Sequence, residues 1–342
     1  MISQKYLLPF LAILLFSNTL KSQNCLENLY SANKLLDAGN TDECLSLVIP
    51  CSNKSNDESV RWQAYRLMSI AYLLKGNTDS SKIAAENMLD INPTYRPNLL
   101  KDPKEFINQI KSIVVIPKFT FGLAASIGSN TTYVNIPKGY VVADYTKTYT
   151  SKSSFQFGTN IGFYISPKVT MDIGLLATRK SYDIDYDFTN WKVNVKERLT
   201  YLDVPLTVKY LIMHQKPLRF FVQGGFFGGY LLYTSNDFQS NYTPQEQEYK
   251  LTKLNAMDRR SRWNFGLTGG LGAYYKTKIG DIGLQANYYR SFSNITNGDK
   301  RYEYIDQIYT YYYVDDDITL HNLAISVGYT RNLNYKVYRS KK

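Results

Sequence analysis

The stretch that decides the fold is residues 200–210, TYLDVPLTVKY, in which apolar and polar side chains alternate. The even positions from 202 to 208 carry Leu, Val, Leu and Val, and the odd positions from 201 to 209 carry Tyr, Asp, Pro, Thr and Lys. Successive side chains of a β-strand point to opposite faces, so this alternation predicts a strand with one apolar and one polar face. Because Pro205 cannot donate to a strand ladder, we expect a β-bulge there.

Seven further segments have the same two-residue period and are bounded by turn or polar stretches. The eight predicted strands are residues 118–130, 154–165, 168–178, 198–213, 217–233, 262–276, 280–292 and 318–333. Their connections alternate between short turns of two or three residues and long loops of about twenty to nearly thirty residues.

This alternation of connections distinguishes a membrane barrel from a soluble β-sandwich, which would show the same side-chain pattern. In outer-membrane barrels the short turns face the periplasm and the long loops face outward. Residues 117–333 therefore predict an eight-stranded antiparallel transmembrane β-barrel, which makes the chain mainly β. An even number of strands places the preceding residues and the tail, residues 334–342, together in the periplasm.

A family resemblance supports the barrel. The Tyr-Leu-acidic-aliphatic-Pro-Leu core of residues 200–210 resembles the fourth strand of the PorT-like, porin-family outer-membrane β-barrel proteins of Bacteroidota, and the glycine-rich residues 264–274 (NFGLTGGLGAY) are similar to that family. The resemblance covers residues 117–333 and implies a barrel without catalytic residues, in some members linked to protein secretion or gliding. Residues 334–342 (NYKVYRSKK) depart from it, since such barrels commonly end near an aromatic residue of the last strand.

The N-terminus has the pattern of a signal peptide, residues 1–22. Lys5 precedes an apolar run at residues 6–16 (YLLPFLAILLF), which is too short to span a bilayer as a helix. The alternatives are a retained anchor helix and lipid attachment at Cys25. Residues 22–24 (SQN) lack the aliphatic and small residues that lipid attachment requires.

Residues 23–112 have helical spacing and an internal repeat, AGNTDE at residues 38–43 and KGNTDS at residues 75–80. In each copy Gly ends one helix, and we expect Thr or Asp to cap the next. The second copy resembles a tetratricopeptide repeat (TPR) at Tyr65, Met68, Tyr72, Ala85 and Pro93, with Ser69 and Ser81 replacing the usual Gly and Ala. These residues predict a small α-helical, TPR-like periplasmic domain that binds protein; the alternative is a spacer or plug.

The three cysteines, Cys25, Cys44 and Cys51, predict one disulfide and one free thiol in an oxidising compartment. Cys44 and Cys51 lie seven residues apart on one predicted helix, about 10 Å, which is beyond bonding reach. If the hairpin turns at residues 39–40, Cys25 lies beside Cys51. We therefore predict a Cys25–Cys51 disulfide.

An eight-stranded barrel is only wide enough inside for side chains. The inward polar positions include Asn160, Asp172, Asp203, Lys209, Gln223, Asn264, Gln285 and Asn287. Opposite charges in a closed lumen should pair, because an isolated buried charge is costly. We interpret the lumen as a self-satisfied polar plug, with a narrow ion or water path as the alternative.

Catalytic and cofactor signals are weak. His214 and His321 lack a nucleophile motif, no cofactor or metal motif is present, and we predict a protein that is not an enzyme, with a surface lipase as the alternative. The acidic runs at residues 183–187 and 315–317 indicate solvated loops rather than calcium sites. Tyrosines in the long loops fit an interfacial belt or, alternatively, a recognition surface.

The net charge of +11 comes from scattered basic residues, which favours acidic lipid and lipopolysaccharide as partners over nucleic acid. The prediction is a non-enzymatic outer-membrane protein that joins a periplasmic interaction module to the membrane. A periplasmic or outer-membrane protein is its expected partner, and a role accessory to a secretion or envelope complex is its expected function. The alternative is a small-solute or ion channel.

Overall fold

The computed structural model describes residues 25–138, 145–212, 217–242, 247–277 and 279–339. The predicted signal peptide and His214 lie outside these residues. The chain divides into two compact units: a helical unit, Met1–Ile116 with Asn334–Lys342, and a barrel unit, Pro117–Leu333. None of the described helices is long and apolar enough to cross a membrane.

The helical unit contains five described helices. They are α1 (residues 25–37), α2 (Thr41–Lys54), α3 (Glu58–Leu74), α4 (Thr78–Ile91) and α5 (Lys104–Ser112). Gly39 and Gly76 have φ of +83° and +75°, the left-handed conformation that ends α1 and α3. The residues that cap α2 and α4 are Asn40 and Asn77, so the predicted Thr or Asp caps are wrong by one or two positions.

Small residues allow α3 and α4 to pack closely. Ala64, Ala71 and Ala85 are completely buried. Ser69 and Ser81, the two departures from the tetratricopeptide pattern, lie 3.0 Å apart through their hydroxyl oxygens, and the Ser81 hydroxyl also donates to the Ser69 carbonyl. The hydroxyls thus satisfy each other in the core, where an unpaired polar group would be costly.

The C-terminal tail belongs to the helical unit. Val337 is buried in its core, and its backbone N–H donates to the Asp90 carboxylate on α4 (2.9 Å). The Arg339 guanidinium contacts Glu86 (3.0 Å) and Asp90 (2.7 Å) on the same helix. These contacts fix the tail to α4.

Among its described residues, the barrel unit has ten strands and one α-helix. They are β1 (Val115–Ile136), β2 (Tyr145–Ser151), β3 (Ser153–Tyr164), β4 (Val169–Phe188), β5 (Trp191–Leu211), β6 (Leu218–Tyr242), β7 (Gln247–Asn255), β8 (Trp263–Lys276), β9 (Asp281–Ser291), α6 (Ile305–Tyr311) and β10 (Asp317–Val337). Eight of the strands form a closed ring in the order β1, β3, β4, β5, β6, β8, β9, β10. The ring is antiparallel, as expected, and its eight members are the eight predicted strands.

The other two strands extend the barrel at one end: β2 pairs with β4, and β7 pairs with β6. We call this the loop end, and the opposite end, where the short turns lie, the turn end. β4 and β5 pair as far as Phe188 and Trp191, so residues 189–190 alone connect them. The prediction of a loop of about twenty residues here was wrong, because the loop residues continue the ladder beyond the apolar belt.

The two faces of the ring are inverted relative to a soluble protein. Outward side chains are apolar yet exposed, including Phe121, Leu123, Ile161, Ile173, Leu206, Val222, Leu271, Ile282, Leu284, Ile325 and Val327. Inward side chains are polar yet buried, including Asp172, Lys209, Asn264 and Asn287. Only a solvent of hydrocarbon outside the ring makes this arrangement favourable.

The predicted bulge at Pro205 was wrong in position. The β4–β5 register is the same on both sides of Pro205. The ladder is interrupted only at residues 174–175 of β4 and 204–205 of β5. Gly174 faces the proline ring, which a Cβ there would approach to 3.0 Å. The register shift lies instead at Thr200 and Tyr201, where β6 has one extra residue.

Candidate functional site

The barrel lumen contains a network of paired polar side chains. Near the turn end, the Lys209 ammonium contacts the Asp172 carboxylate (2.8 Å) and donates to the Tyr274 hydroxyl (2.9 Å). The Lys209 charge also lies over the rings of Phe221 and Tyr274. The opposite charges of Lys209 and Asp172 cancel, and hydrogen bonds satisfy both groups. A charge pair of this kind can be accommodated in an interior that bulk water does not reach.

The remaining predicted lumen residues lie in the same interior. The Gln223 amide donates to Asn287, and the Ser291 hydroxyl donates to Asn264. Gln285 and Asn160 line a cavity of about 80 Å³ between them. At that volume the cavity has room for a few water molecules.

Two charge pairs of the lumen were missed by sequence reasoning. Lys180 lies 4.0 Å from Asp203, and Arg219 contacts Asp281 near the turn end. The position of Lys180 could have been predicted from the sequence. Lys180 and Asp172 lie on the same strand, an even number of residues apart, so their side chains face the same side. The lumen thus holds three acids, Asp172, Asp203 and Asp281, each beside a basic partner.

Beyond the apolar belt the barrel interior becomes an apolar core, which we call the loop-end cap. Its buried members are Tyr182, Ile184, Tyr186, Val193, Val195, Leu199, Tyr201, Leu231, Phe238, Ile295, Tyr311, Tyr313, Ile318 and Leu320. They come from β4, β5, β6, α6, β10 and the segments around them. Ring contacts join opposite sides of the mouth: Phe238 lies 5.1 Å from both Tyr311 and Tyr313, measured between ring centroids.

A buried ion network holds the cap together. The Arg260 guanidinium forms a fork with the two Glu197 oxygens and also contacts Asp315 (2.7 Å). Arg259 contacts the other Asp315 oxygen (3.0 Å). The network has two positive and two negative charges, so it is neutral as a whole. It joins β5 to the segments that follow β7 and α6.

Tyrosine hydroxyls complete this network. Tyr182 donates to Glu197 (2.8 Å), and Tyr313 donates to Asp315 (2.6 Å). Burial alone would raise the pKa of the Asp315 carboxyl, but Arg259 and Arg260 outweigh it and hold the pKa well below its usual value. Asp315 is therefore ionised at any physiological pH.

Two predictions about the long loops were only partly right: Asp185 and Asp187 are exposed as expected, but other acidic residues of the two runs are not. Asp315 and Asp316 are buried and ion-paired, Asp316 with Lys147 (2.7 Å), and Asp183 lies within the β4 ladder. No group of His, Cys, Asp and Glu in the described part of the chain is arranged to hold a metal ion. Several loop tyrosines, such as Tyr182 and Tyr313, form the cap core instead of a belt or a recognition surface. The sequence did contain a signal for β4, because residues 182–188 (YDIDYDF) alternate and place Tyr182, Ile184 and Tyr186 on the same side as Asp172. The segment around Tyr313 has no such period.

The helical unit has a groove between α1 and α3, which we call the helical groove. Leu26, Leu29, Tyr30 and Asn33 line it from α1, Trp62, Gln63, Arg66 and Leu67 line it from α3, and Tyr95 closes one end. Arg66 and the Tyr95 hydroxyl both donate to the buried Asp102 carboxylate. The groove has a volume of about 380 Å³ and combines exposed apolar groups with a fixed polar end.

The three cysteines belong to α1 and α2. Cys25 and Cys51 form a disulfide, with their Cα atoms 5.6 Å apart. Cys44 is a buried free thiol, and burial raises its pKa to about 11. Protonated and buried, the thiol is unreactive.

An apolar exterior, a polar filled interior and a closed antiparallel ring define an outer-membrane β-barrel. Residues 118–297 match the family described as outer membrane protein beta-barrel domain, and this chain belongs to that family. No curated protein matches the chain.

Several solved barrels are similar in structure. Neisserial surface protein A has 11% identity and a TM-score of 0.32, covering 63% of this chain and 97% of its own. OprG of Pseudomonas aeruginosa has 12% identity and a TM-score of 0.33, with the same coverages. The attachment invasion locus protein Ail of Yersinia pestis, solved with the heparin analogue sucrose octasulfate, has 12% identity and a TM-score of 0.29, covering 62% of this chain and 99% of its own.

Proposed function

We propose that this protein is a non-conducting, non-enzymatic outer-membrane anchor that presents its helical unit to a protein partner in the periplasm. The finer resemblance to PorT-like proteins of Bacteroidota is part of this proposal, as is a role accessory to a secretion or envelope complex. The observation that carries it is the closure of the barrel: the lumen is filled with paired charges, and the loop-end cap covers it.

The filled lumen argues against the channel alternative. A conducting path needs a continuous column of water, but cap residues such as Leu199 and Phe238 are almost completely buried. Opening the mouth would expose this apolar core and separate Arg260 from Glu197. The energetic cost of both steps favours a barrel that serves as an anchor.

The helical groove is the proposed partner site. Tyr30 and Leu26 are more than half exposed at its edge although both are apolar, and Trp62 packs on Tyr95 with ring centroids 5.6 Å apart. Aromatic anchors beside an arginine are typical of the centres of protein interfaces. A segment of a partner protein with apolar side chains fits this groove.

Crosslinking in native membranes tests the partner site. The double variant L26D/Y30D changes exposed groove residues and should lose the crosslinked partner, whereas L100D, at a side chain that is 97% exposed outside the groove, should keep it. Equal recovery of the same partner with both variants would contradict the proposal.

Planar-bilayer recording tests the anchor role. Purified full-length protein should give no stable single-channel current, and stable currents would support the channel alternative instead.

Protease treatment tests the orientation: in intact cells the helical unit should be protected, and it should become accessible only after the outer membrane is permeabilised.

A further inference from the structure

A groove on the outward face of the barrel, at the loop end, has no role in the proposed function. Its residues are Tyr133, Asn135, Tyr288, Arg290, Ser291, Phe292, Thr319 and His321, and its volume is about 640 Å³. We call it the rim groove. It is formed by the ends of β1, β9 and β10.

Aromatic rings build the walls of the rim groove. His321 is only 9% exposed although it points outward, because the Tyr133 ring packs on it in a tilted arrangement with ring centroids 4.1 Å apart. On the other side the Tyr288 hydroxyl is 2.6 Å from His321 Nδ1. Both tyrosines remain more than two-fifths exposed, so their outer faces are available to a ligand.

The groove carries a positive charge without a counter-charge. Arg290 lies directly opposite His321 in the β9–β10 register and is exposed. In the part of the chain that the structure describes, no carboxylate lies within ion-pair distance of Arg290, although most arginines of the barrel unit have one. A guanidinium in this position favours an anion, and phosphate matches its geometry.

The surface beside the groove identifies the kind of ligand. From His321 toward the turn end, β10 continues outward with Leu323, Ile325 and Val327, which are all more than half exposed. The strand covers about 20 Å from Leu323 to Tyr329 at ~3.3 Å per residue. A ligand whose head lies in the groove therefore has room for hydrocarbon chains on the belt directly below.

We propose that the rim groove binds the phosphorylated sugar headgroup of an outer-leaflet glycolipid. Arg290 binds the phosphate, the faces of Tyr133, Tyr288 and Phe292 pack on the sugar ring, and Asn135 and Thr319 supply polar contacts. The acyl chains lie on the belt along β9 and β10. The proposal rests on the orientation given under the proposed function, in which the loop end faces outward.

Native mass spectrometry of the full-length protein in detergent tests it, with diphosphoryl lipid A as the probe. Lipid A should bind at least tenfold more tightly than a dephosphorylated lipid A, since a charge-assisted hydrogen bond is lost. R290Q should lower the affinity about tenfold, and Y133A should also weaken it. The matched control is R179Q, another exposed outward arginine of the barrel, which lies opposite Phe155 and outside the rim groove.

Equal binding by R290Q and wild type, or by the two lipids, would overturn the proposal. Tight binding of the deacylated, phosphorylated disaccharide would show a site for soluble glycan and would overturn the glycolipid assignment. Heat-modified migration in gels confirms that each variant is folded, and Y133A supplies an independent reading if R290Q does not fold. Binding in detergent does not depend on orientation, so its failure is distinguishable from a failure of the protease test.

Discussion

Substitution of Glu197 by Gln should strongly destabilise the barrel. The Glu197 side chain is 0% exposed and accepts hydrogen bonds from Arg260, Tyr182 and Thr234. The substitution removes one of two negative charges from the neutral network and leaves a buried excess of positive charge. Removal of one partner of a buried ion pair typically costs about 3–5 kcal/mol, and we expect a loss in that range.

The assay is urea unfolding of the full-length protein in lipid vesicles, followed by tryptophan fluorescence. Trp62 lies in the helical unit, so the measurement uses a W62F background in which Trp191 and Trp263 report on the barrel. The control is D187N, because the Asp187–Lys192 pair is largely exposed and therefore contributes little.

A second variant separates charge imbalance from loss of packing. In E197Q/R260Q the network keeps Arg259 and Asp315 and is neutral again. The double variant should be more stable than the sum of the two single losses predicts, by about 1–3 kcal/mol of coupling. A loss below about 1 kcal/mol for E197Q, or strict additivity, would refute the claim that the network holds the cap.

Three further predictions concern pH, the disulfide and the tail. Because the pKa of Asp315 is lowered in the folded state, its ion pairs stabilise the fold fully above the unfolded pKa of about 3.9, and this stabilisation is lost only as the pH falls further. Near-ultraviolet circular dichroism of the cap tyrosines should therefore not change between pH 7 and pH 5. A transition in that range would contradict the prediction. Loss of the Cys25–Cys51 disulfide, whose sequence separation is 26, should destabilise the helical unit by about 3.5 kcal/mol in thermal melts, whereas C44A should leave the disulfide intact on a peptide map. R339E should lower the melting temperature of the helical unit but not the heat-modified migration of the barrel, because Arg339 contacts Glu86, Asn87 and Asp90 on α4. An unchanged melting temperature would show that the tail contacts do not stabilise the helical unit.

The ring was predictable because the two-residue period and the alternating connections are local signals. Residues such as Asp172 and Lys209 could be placed inside the barrel from parity alone, and their pairing follows from the cost of an isolated charge. The position of the β6 bulge was not predictable, since it depends on how the long hairpins twist. Pro205 predicted an irregularity in the ladder. Gly174 lies opposite it and has no Cβ to clash with the proline ring, so the strands keep their register.

The cap could not be predicted, for a physical reason. Arg259, Arg260 and Asp315 lie in segments without regular period, and charged residues there are usually solvated. Their burial depends on Glu197, which is 63 residues from Arg260 in the sequence and almost twice as far from Asp315, and which comes near only after the ring has closed. The composition of these segments is consistent with burial. The tyrosines around these charges supply both apolar area and hydroxyl donors, as a buried ion network requires.

The tail connects the end of the chain to its beginning. Val337 contributes to the same core as Ala64 and Phe106, so the helical unit lacks part of its core until the last barrel strand has been synthesised. β1 and β10, which close the ring, begin and end in residues of the helical unit. Docking of residues 334–339 on α4 therefore becomes available only when the whole chain is present. Without residues 334–339 the protein would lose the Arg339 ion pairs and leave the Val337 site in the helical core empty.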